Sequence, residues 1–217
     1  MANDIWNNSG QGNFIANNSV FILDAFAVKT TSEVLGHLHN MIYSLPQTEI
    51  YTQSSRLTSP YDTSKIKNPI IDVYIASNGG NSNVLHSLSC LFGLAKSRGA
   101  IIRTTVLSNA ESCGSLLAIQ GTPGFRIMYS AGYHFIHFGT HRMNICNESE
   151  IEAAAQNIRQ NSTATNNLYL KHTKLTAEQL KKLQSNEQGF LTAQQCLKHG
   201  LCDWILDECG NLNKKQR

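Results

Sequence analysis

Apolar residues follow two patterns along the chain, short continuous runs and longer segments with a helical period. Continuous runs occupy residues 19–28 ("SVFILDAFAV"), 69–77 ("PIIDVYIAS") and 100–108 ("AIIRTTVLS"), as is typical of buried β-strands. Residues 30–45 and 84–99 instead repeat apolar side chains every third or fourth position, which predicts helices with one buried face. This alternation predicts an α/β fold with a mainly parallel sheet and crossover helices.

The second half of the chain continues the alternation and adds one long polar segment. "FRIMYSAGYHFIHFG" holds two strand-like runs, and "LCDWIL" predicts a last strand. "TAEQLKKL" and "TAQQCLKHG" open with Thr and carry Gln three positions later, the spacing of a helix capping box. Residues 147–173 lack Gly and Pro and carry only a thin apolar stripe. They predict a long helix that projects or packs against another subunit.

Two further segments are polar and low in apolar anchors. Residues 1–18 are rich in Asn and Gly, which predicts a mobile N-terminal arm. Residues 47–68 predict an inserted loop. The length of 217 residues suits one domain, which we place at residues 19–217.

Composition excludes several classes of function. The net charge of +3 is spread along the chain with no basic block beyond a short "KKQR" tail, which argues against nucleic-acid binding. No run approaches the ~20 apolar residues of a membrane helix, and the N-terminus lacks the pattern of a secretory signal, so we expect a cytoplasmic protein. Six cysteines without a CxxC pair favour buried free thiols over disulfides or a metal cluster.

Ser112 is the first candidate for chemistry. It follows the strand run at residues 100–108 through a short turn and precedes the apolar segment "CGSLLAIQ". A serine there exposes its hydroxyl at the carboxyl end of a strand, where N–H groups of the first helical turn can bind an oxyanion. Serine is also among the commonest helix N-caps. The stretch alone supports both interpretations.

Two glycines and a group of histidines are the other candidates. "SNGG" places Gly79 and Gly80 at the end of a buried strand, where backbone N–H groups can approach a ligand or simply form a turn. "HFIHFGTH" contains His134, His137 and His141. On a strand the first two face opposite sides, which argues against a shared metal. One of them could serve Ser112 as a general base, although each alone is also typical of a core or edge histidine.

Four segments taken together resemble a known family. "PIIDVYIASNGG", "LSNAESCGSLLAIQG", "YHFIHFG" and "GFLTAQQCLKHGLCDWIL" are similar, in this order, to motifs of the proteolytic subunit of the Clp protease family. That family shows a strand ending in Ser-Pro-Gly-Gly, an Ala-Ala-Ser-Met-Gly turn, a Met-Ile-His strand and a Phe-Leu-Ser/Thr-Ala helix entry followed by Tyr-Gly-Leu-Val/Ile-Asp. The resemblance covers about residues 19–206, interrupted by the polar insert.

The resemblance implies a serine endopeptidase with a crotonase-like α/β fold, a spiral of repeated β-β-α units. Ser112 matches the nucleophile and His137 the general base. The backbone N–H of Cys113 and that of Gly79 or Gly80 would form the oxyanion hole. The resemblance implies no metal and no organic cofactor.

It also implies an assembly. The long helix at about residues 150–173 would be the handle by which two stacked heptameric rings interlock, in a homo- or hetero-oligomer. Unfolded polypeptide substrates would be cut inside the chamber, delivered by a separate ATP-driven unfoldase of the Clp type. The insert at residues 47–68 would lie near the surface that docks this partner.

The chain departs from the family at the third member of the triad. The family's aspartate stands two residues before the Phe of Phe-Leu-Ser/Thr-Ala, and Gln188 has that position here. An amide can hold an imidazole but cannot offset its charge, and the corresponding Asp to Asn change costs about 10⁴ in turnover. Weak or conditional activity is expected. Glu187 is adjacent, and Glu111 would raise the pKa of His137 if it faced the crevice.

Two other functions stay open. A catalytically inactive structural ring subunit is favoured by Gln188 and disfavoured by the presence of both Ser112 and His137. An enzyme of the crotonase type acting on acyl thioesters would use the same backbone oxyanion hole. The location is expected to be the cytoplasm, or the stroma or matrix of an organelle, and the richness in Asn and Gln suggests a virus-encoded copy.

Overall fold

A computed structural model describes residues 13–52, 57–137, 147–185 and 189–214. The strands are β1 (Asn13–Ala16), β2 (Ser19–Ile22), β3 (Ile70–Ser77), β4 (Ile101–Glu111), β5 (Arg126–Tyr129), β6 (Tyr133–Phe135), β7 (Phe190–Thr192), β8 (Trp204–Leu206) and β9 (Leu212–Lys214). The helices are α1 (Val28–Ser44), α2 (Ser82–Ser97), α3 (Cys113–Ala118), α4 (Glu148–His172), α5 (Ala177–Ser185) and α6 (Ala193–His199).

One mixed sheet organises the molecule. Its main path runs β1-β2-β3-β4-β5-β8-β9, with β6 beside β4 and β7 beside β6. The pairs β2–β3, β3–β4, β4–β5, β4–β6 and β5–β8 are parallel, and β1–β2, β6–β7 and β8–β9 are antiparallel. The prediction of an α/β fold with a mainly parallel sheet is confirmed.

The long strand β4 divides the sheet into two branches. Residues 104–106 of β4 pair with β5, and residues 109–111 pair with β6. The carboxyl ends of β3, β4 and β6 therefore meet at one edge of the sheet, because all three strands run in the same direction. The chain leaves β4 at that edge and enters α3 through Ser112.

The core lies between the sheet and helices α1 and α2. Every second side chain of β3 is buried, and Ile71, Val73 and Ile75 are fully inaccessible to solvent. The buried face of α2 includes Leu85, Leu88 and Phe92, with the spacing that the helical pattern in the sequence predicts.

The first predicted strand differs from the structure. Residues 19–28 were expected to form one strand, but β2 ends at Ile22 and α1 begins at Val28. Between them the buried Phe26 donates its N–H to the Gly79 carbonyl at 2.7 Å and accepts from the Asn81 N–H at 2.8 Å. The second half of the apolar run does not extend β2, because its backbone hydrogen-bonds the Gly-Gly turn instead.

Part of the predicted N-terminal arm is an ordered strand. The sequence predicts a mobile arm over residues 1–18, whereas Asn13–Ala16 forms β1 and pairs with β2 as a hairpin. The earlier residues of the predicted arm lie outside the described part of the chain.

The described part of the polar insert is fastened to the sheet. The Asn68 side chain donates to the Glu49 carbonyl at 2.8 Å and to the Gly99 carbonyl at 2.7 Å. Arg103 on β4 pairs with Asp72 on β3 and stands over the ring of Tyr61 in the insert.

The long helix predicted at about residues 150–173 is confirmed as α4. Tyr169 is its one buried residue among those described. Its C-terminal end is held by Arg126, which donates to the His172 carbonyl at 2.6 Å and to the Gly200 carbonyl at 2.9 Å while pairing with Asp203. Most of α4 is free of contact with the core. No helix in the described ranges is long and apolar enough to cross a membrane.

The two predicted capping boxes and the free thiols are also observed. Thr192 and Gln195 cap each other's backbone at the start of α6, and Thr176 and Gln179 do so at the start of α5. The described cysteines are all free. Cys113, Cys196 and Cys202 are buried, as predicted. Cys90 and Cys209 are exposed, unlike the prediction. Cys146 lies outside the described residues.

Candidate active site

Ser112 has a backbone conformation that non-glycine residues rarely adopt. Its φ is 51° and its ψ is −118°. Its N–H donates to the Phe135 carbonyl at 2.8 Å, and its carbonyl accepts from the Leu116 N–H at 3.1 Å. Its hydroxyl makes no capping hydrogen bond to α3. The helix-cap interpretation is therefore wrong, because the hydroxyl caps no backbone N–H of α3.

The Gly-Gly turn packs directly against this serine. A Cβ built on Gly79 would lie 2.7 Å from the Ser112 Cβ and 2.8 Å from the Cys113 nitrogen, and Gly79 has a φ of +86°. The buried Ser77 shapes the turn, because its hydroxyl donates to the Asp24 carbonyl at 2.7 Å and accepts from the Gly79 N–H at 3.1 Å. Only glycine permits this approach of the two turns.

Gly80 presents its backbone toward Cys113. The bridge with Phe26 uses the carbonyl of Gly79 and the N–H of Asn81, so the polar groups of Gly80 point away from Phe26. The Gly80 carbonyl accepts from the Cys113 thiol at 3.2 Å. Among the described residues the Gly80 N–H has no partner.

Ser112 and His137 line one cavity of about 610 Å³. Gly80, Cys113 and Leu116 also line it, and its remaining described walls come from the start of α2, from α4 and from α5. His137 follows β6, and its ring stacks on Phe135 with 5.3 Å between centroids. The structure thus brings together four of the residues singled out in the sequence.

Cys113 is not a competing nucleophile. Burial raises the pKa of its thiol, opposed by hydrogen bonds with the Gly80 carbonyl and the Ser112 side chain. A thiol with a raised pKa carries little thiolate at neutral pH.

Glu111 does not face the cavity. Its carboxylate accepts from the Tyr133 hydroxyl at 2.8 Å and from the Asn109 side chain at 3.3 Å. The hydrogen bond with Glu111 raises the pKa of Tyr133. The expectation that Glu111 would act on His137 finds no support in this arrangement, because Glu111 is absent from the described residues that line the cavity.

His134 belongs to a buried network that sequence reasoning missed. Its Nδ1 is 2.8 Å from the Ser115 hydroxyl, which accepts from the Tyr169 hydroxyl at 3.0 Å. The network joins β6, α3 and α4 directly behind Ser112. His134 is fully buried, in line with the prediction of a core histidine, and its Nε2 has no partner among the described residues. The positions of Ser115 and Tyr169, distant along the chain, gave no pattern that could reveal this contact.

Three residues named from the sequence lie outside the described residues: His141, Glu187 and Gln188.

Comparison with known proteins agrees with this arrangement. A family model described as Clp protease matches residues 22–209. The chain belongs to the Clp protease family. This also confirms the resemblance drawn from the sequence motifs.

Curated relatives of this Clp protease family member are distant. ATP-dependent Clp protease proteolytic subunit 1 of Corynebacterium diphtheriae is 26% identical over 137 residues, covering 63% of this chain and 64% of that protein. The subunit 1 of Corynebacterium glutamicum shows the same identity and coverage. Subunit 4 of Streptomyces avermitilis is 27% identical over 136 residues, covering 63% of this chain and 58% of that protein. The chain therefore matches less than two thirds of the length of these relatives.

Replacing Gly79 with Ala tests the packing of the two turns. The added methyl group meets the Ser112 Cβ at 2.7 Å and stands at a φ of +86°, so we expect a loss of about 1–3 kcal/mol in the free energy of unfolding. We also expect loss of Ser112 reactivity toward a fluorophosphonate probe. Gly93→Ala is the matched control, since a Cβ there meets nothing within 4 Å, and it should raise stability by about 0.5–1 kcal/mol. Equal urea-denaturation midpoints for the two variants would show that the turns do not pack as described.

The buried network makes stability depend on pH. Burial, together with the charge of Arg126, lowers the pKa of His134 to about 3. Between about pH 6.5 and 3 the unfolded chain therefore binds a proton that the folded chain does not, and stability falls as the pH falls. The slope is at most about 1.4 kcal/mol per pH unit for this one proton.

His134→Asn keeps a polar side chain near Ser115 and removes the imidazole that takes up a proton in the unfolded chain. Urea unfolding at a series of pH values should then show that the free energy of unfolding decreases less steeply toward acid pH than in the wild type. The difference in slope should be at most about 1.4 kcal/mol per pH unit. His37→Asn, at an exposed position on α1, controls for the loss of a histidine. If His134→Asn declines as steeply as the wild type, His134 is not neutral in the folded protein.

Proposed function

We propose that this protein is a serine endopeptidase of the Clp type, with Ser112 as the nucleophile and His137 as the general base. One observation carries the proposal: in a chain of the Clp protease family, Ser112 is held at a φ of 51° and makes no capping hydrogen bond to α3, in a cavity that His137 also lines. Nucleophiles of acyl transfer are commonly presented on such strained strand-to-helix turns.

The proposed chemistry is acyl transfer through a covalent intermediate. Ser112 Oγ forms a bond to the carbonyl carbon of the substrate while its proton passes to His137. The carbonyl oxygen becomes an oxyanion, which accepts hydrogen bonds from the N–H of Cys113 and from that of Gly80, since the Gly79 N–H already donates to the Ser77 hydroxyl. The peptide C–N bond then breaks, and His137 gives its proton to the leaving amine.

Deacylation repeats these steps with water. His137 takes a proton from the water as its oxygen attacks the acyl carbon. The bond to Ser112 Oγ then breaks, and the proton returns to the serine. The residues named here need no metal or organic cofactor for either half of the reaction.

Gln188 is proposed to hold the His137 ring in the place where the family has an aspartate. Its side-chain amide can accept a hydrogen bond from an imidazole N–H but brings no negative charge, so the imidazolium that forms in the transition state is less stabilised. The protease is accordingly expected to turn over slowly.

The assembly is proposed from the family and from α4. The relatives are named as proteolytic subunits of ATP-dependent Clp proteases. Residues 148–168 of α4 are at most half-buried in the single chain, as expected for a helix that packs against other subunits. We propose stacked heptameric rings that enclose the active sites, and an ATP-driven unfoldase that supplies unfolded polypeptides.

A structural subunit without activity is the second candidate. Gln188 in place of the triad aspartate is the observation that favours it. The two candidates differ in whether the Ser112 hydroxyl is reactive.

Labelling with a fluorophosphonate and intact-mass measurement tests the proposed nucleophile. We expect one adduct per chain on the wild type, none on Ser112→Ala and a strong decrease on His137→Ala, because the probe reports an activated serine. Ser108→Ala is the matched control, since that exposed serine lies on the same strand, and should label as the wild type does. A folded and assembled wild type without an adduct would establish the structural subunit instead.

Restoring the aspartate tests the role of Gln188. Gln188→Asp should increase kcat for a fluorogenic peptide by as much as about 10⁴, because a carboxylate then stabilises the imidazolium. Gln194→Asp, an exposed glutamine of α6, adds the same charge elsewhere and should leave kcat unchanged. An unchanged kcat in Gln188→Asp would mean that residue 188 does not contact His137.

A further inference from the structure

The wall that α4 and α5 contribute to the active-site cavity is polar but uncharged. It consists of Asn161, Ser162, Thr165, Asn166, Tyr169 and Gln184. The α4 members recur at the spacing of one helix face, where they continue the stripe that Ile151, Ala154 and Ile158 begin. A stripe that packs against an apolar partner would stay apolar. Here it changes to carboxamides and hydroxyls where the helix borders the cavity.

Two of these side chains are fixed by each other. Gln184 is 8% exposed, and its Nε2 donates to the Asn166 Oδ1 at 2.9 Å. The bond leaves the amide N–H groups of Asn166 and the Oε1 of Gln184 without partners among the described residues. The cavity therefore offers one donor and one acceptor side by side, on side chains whose orientation is already set.

The cavity is unfavourable for charged and for purely apolar substrate side chains. None of the described residues that line it is Asp, Glu, Lys or Arg. The Tyr169 hydroxyl at its border donates to Ser115 and is not available as a donor. A charged side chain would lose hydration here without gaining a partner of opposite charge. An apolar side chain would leave the Asn166 donor and the Gln184 acceptor unpaired when water is expelled.

We infer that this wall selects substrates with a carboxamide side chain, glutamine or asparagine, at the residue whose carbonyl Ser112 attacks. The inference rests on the proposed function of Ser112. A carboxamide presents an oxygen to the Asn166 N–H and an N–H to the Gln184 oxygen, so it satisfies both groups at once. A site that hydrogen-bonds a polar group of its substrate discriminates strongly against analogues that lack this group. An apolar pocket discriminates less between substrates that differ by a methylene or a hydroxyl group.

The test uses internally quenched peptides that differ only in one central residue, Gln, Leu, Lys or Glu. We expect kcat/KM for the Gln peptide to exceed that for the Leu peptide by about tenfold or more, with Lys and Glu cleaved more slowly still. Asn166→Leu and Gln184→Met should each remove or reverse the Gln over Leu preference. Asn40→Leu, at an exposed position on α1, should keep it.

Binding separates this inference from the proposed function. Ser112→Ala protein is titrated with peptides that end in Gln or in Leu, and we expect tighter binding of the Gln peptide, lost in the additional Asn166→Leu background. Equal or better cleavage and binding of the Leu peptides would overturn the carboxamide specificity while leaving Ser112 as the nucleophile. Absence of cleavage and of a fluorophosphonate adduct would overturn the proposed function, and the binding measurement would still decide what the wall accepts.

Discussion

The close packing of two turns, one at the end of β3 and one at the end of β4, governs the site. Gly79 leaves no room for a Cβ between itself and Ser112, and Ser112 in turn keeps a positive φ that costs a non-glycine residue about 1–3 kcal/mol. The strain persists because β4, α3 and the hydrogen bond to the Phe135 carbonyl fix the residue from both sides. Its consequence is a serine hydroxyl that cannot cap its own helix and stands in the cavity.

The parallel topology explains why residues far apart in sequence share that cavity. The Gly-Gly turn, Ser112 and His137 each follow a strand, and these strands run parallel in the order β3, β4, β6. Their carboxyl ends form one edge, which is where parallel α/β sheets place their sites. The long helix α4 lines the cavity from the other side, and the hydrogen bond from Tyr169 to Ser115 joins it to α3.

Much of the fold was predictable because the spacing of apolar residues and the capping residues determine helices and strands within short segments of the sequence. The helices α1 and α2, the strands β3 and β4 and both capping boxes agree with the sequence. The run at residues 19–28 was misassigned because Phe26 is apolar for a reason that lies in the Gly-Gly turn. In the site, residue type alone could not separate a nucleophile from a cap at Ser112, since that distinction depends on a backbone angle. The hydrogen bond between Asn166 and Gln184 depends on contact between α4 and α5, so the sequence of neither helix alone could predict it.

In the proposed mechanism, Ser112 forms a covalent acyl intermediate with a peptide substrate. Rapid acid quench of the enzyme with an activated peptide ester, followed by intact-mass measurement and peptide mapping, observes this species directly. We expect an acyl adduct of the mass of the substrate's acyl part on Ser112, which forms in a burst and decays as product appears. Product formation without any acylated protein, or an adduct on another residue, would contradict it.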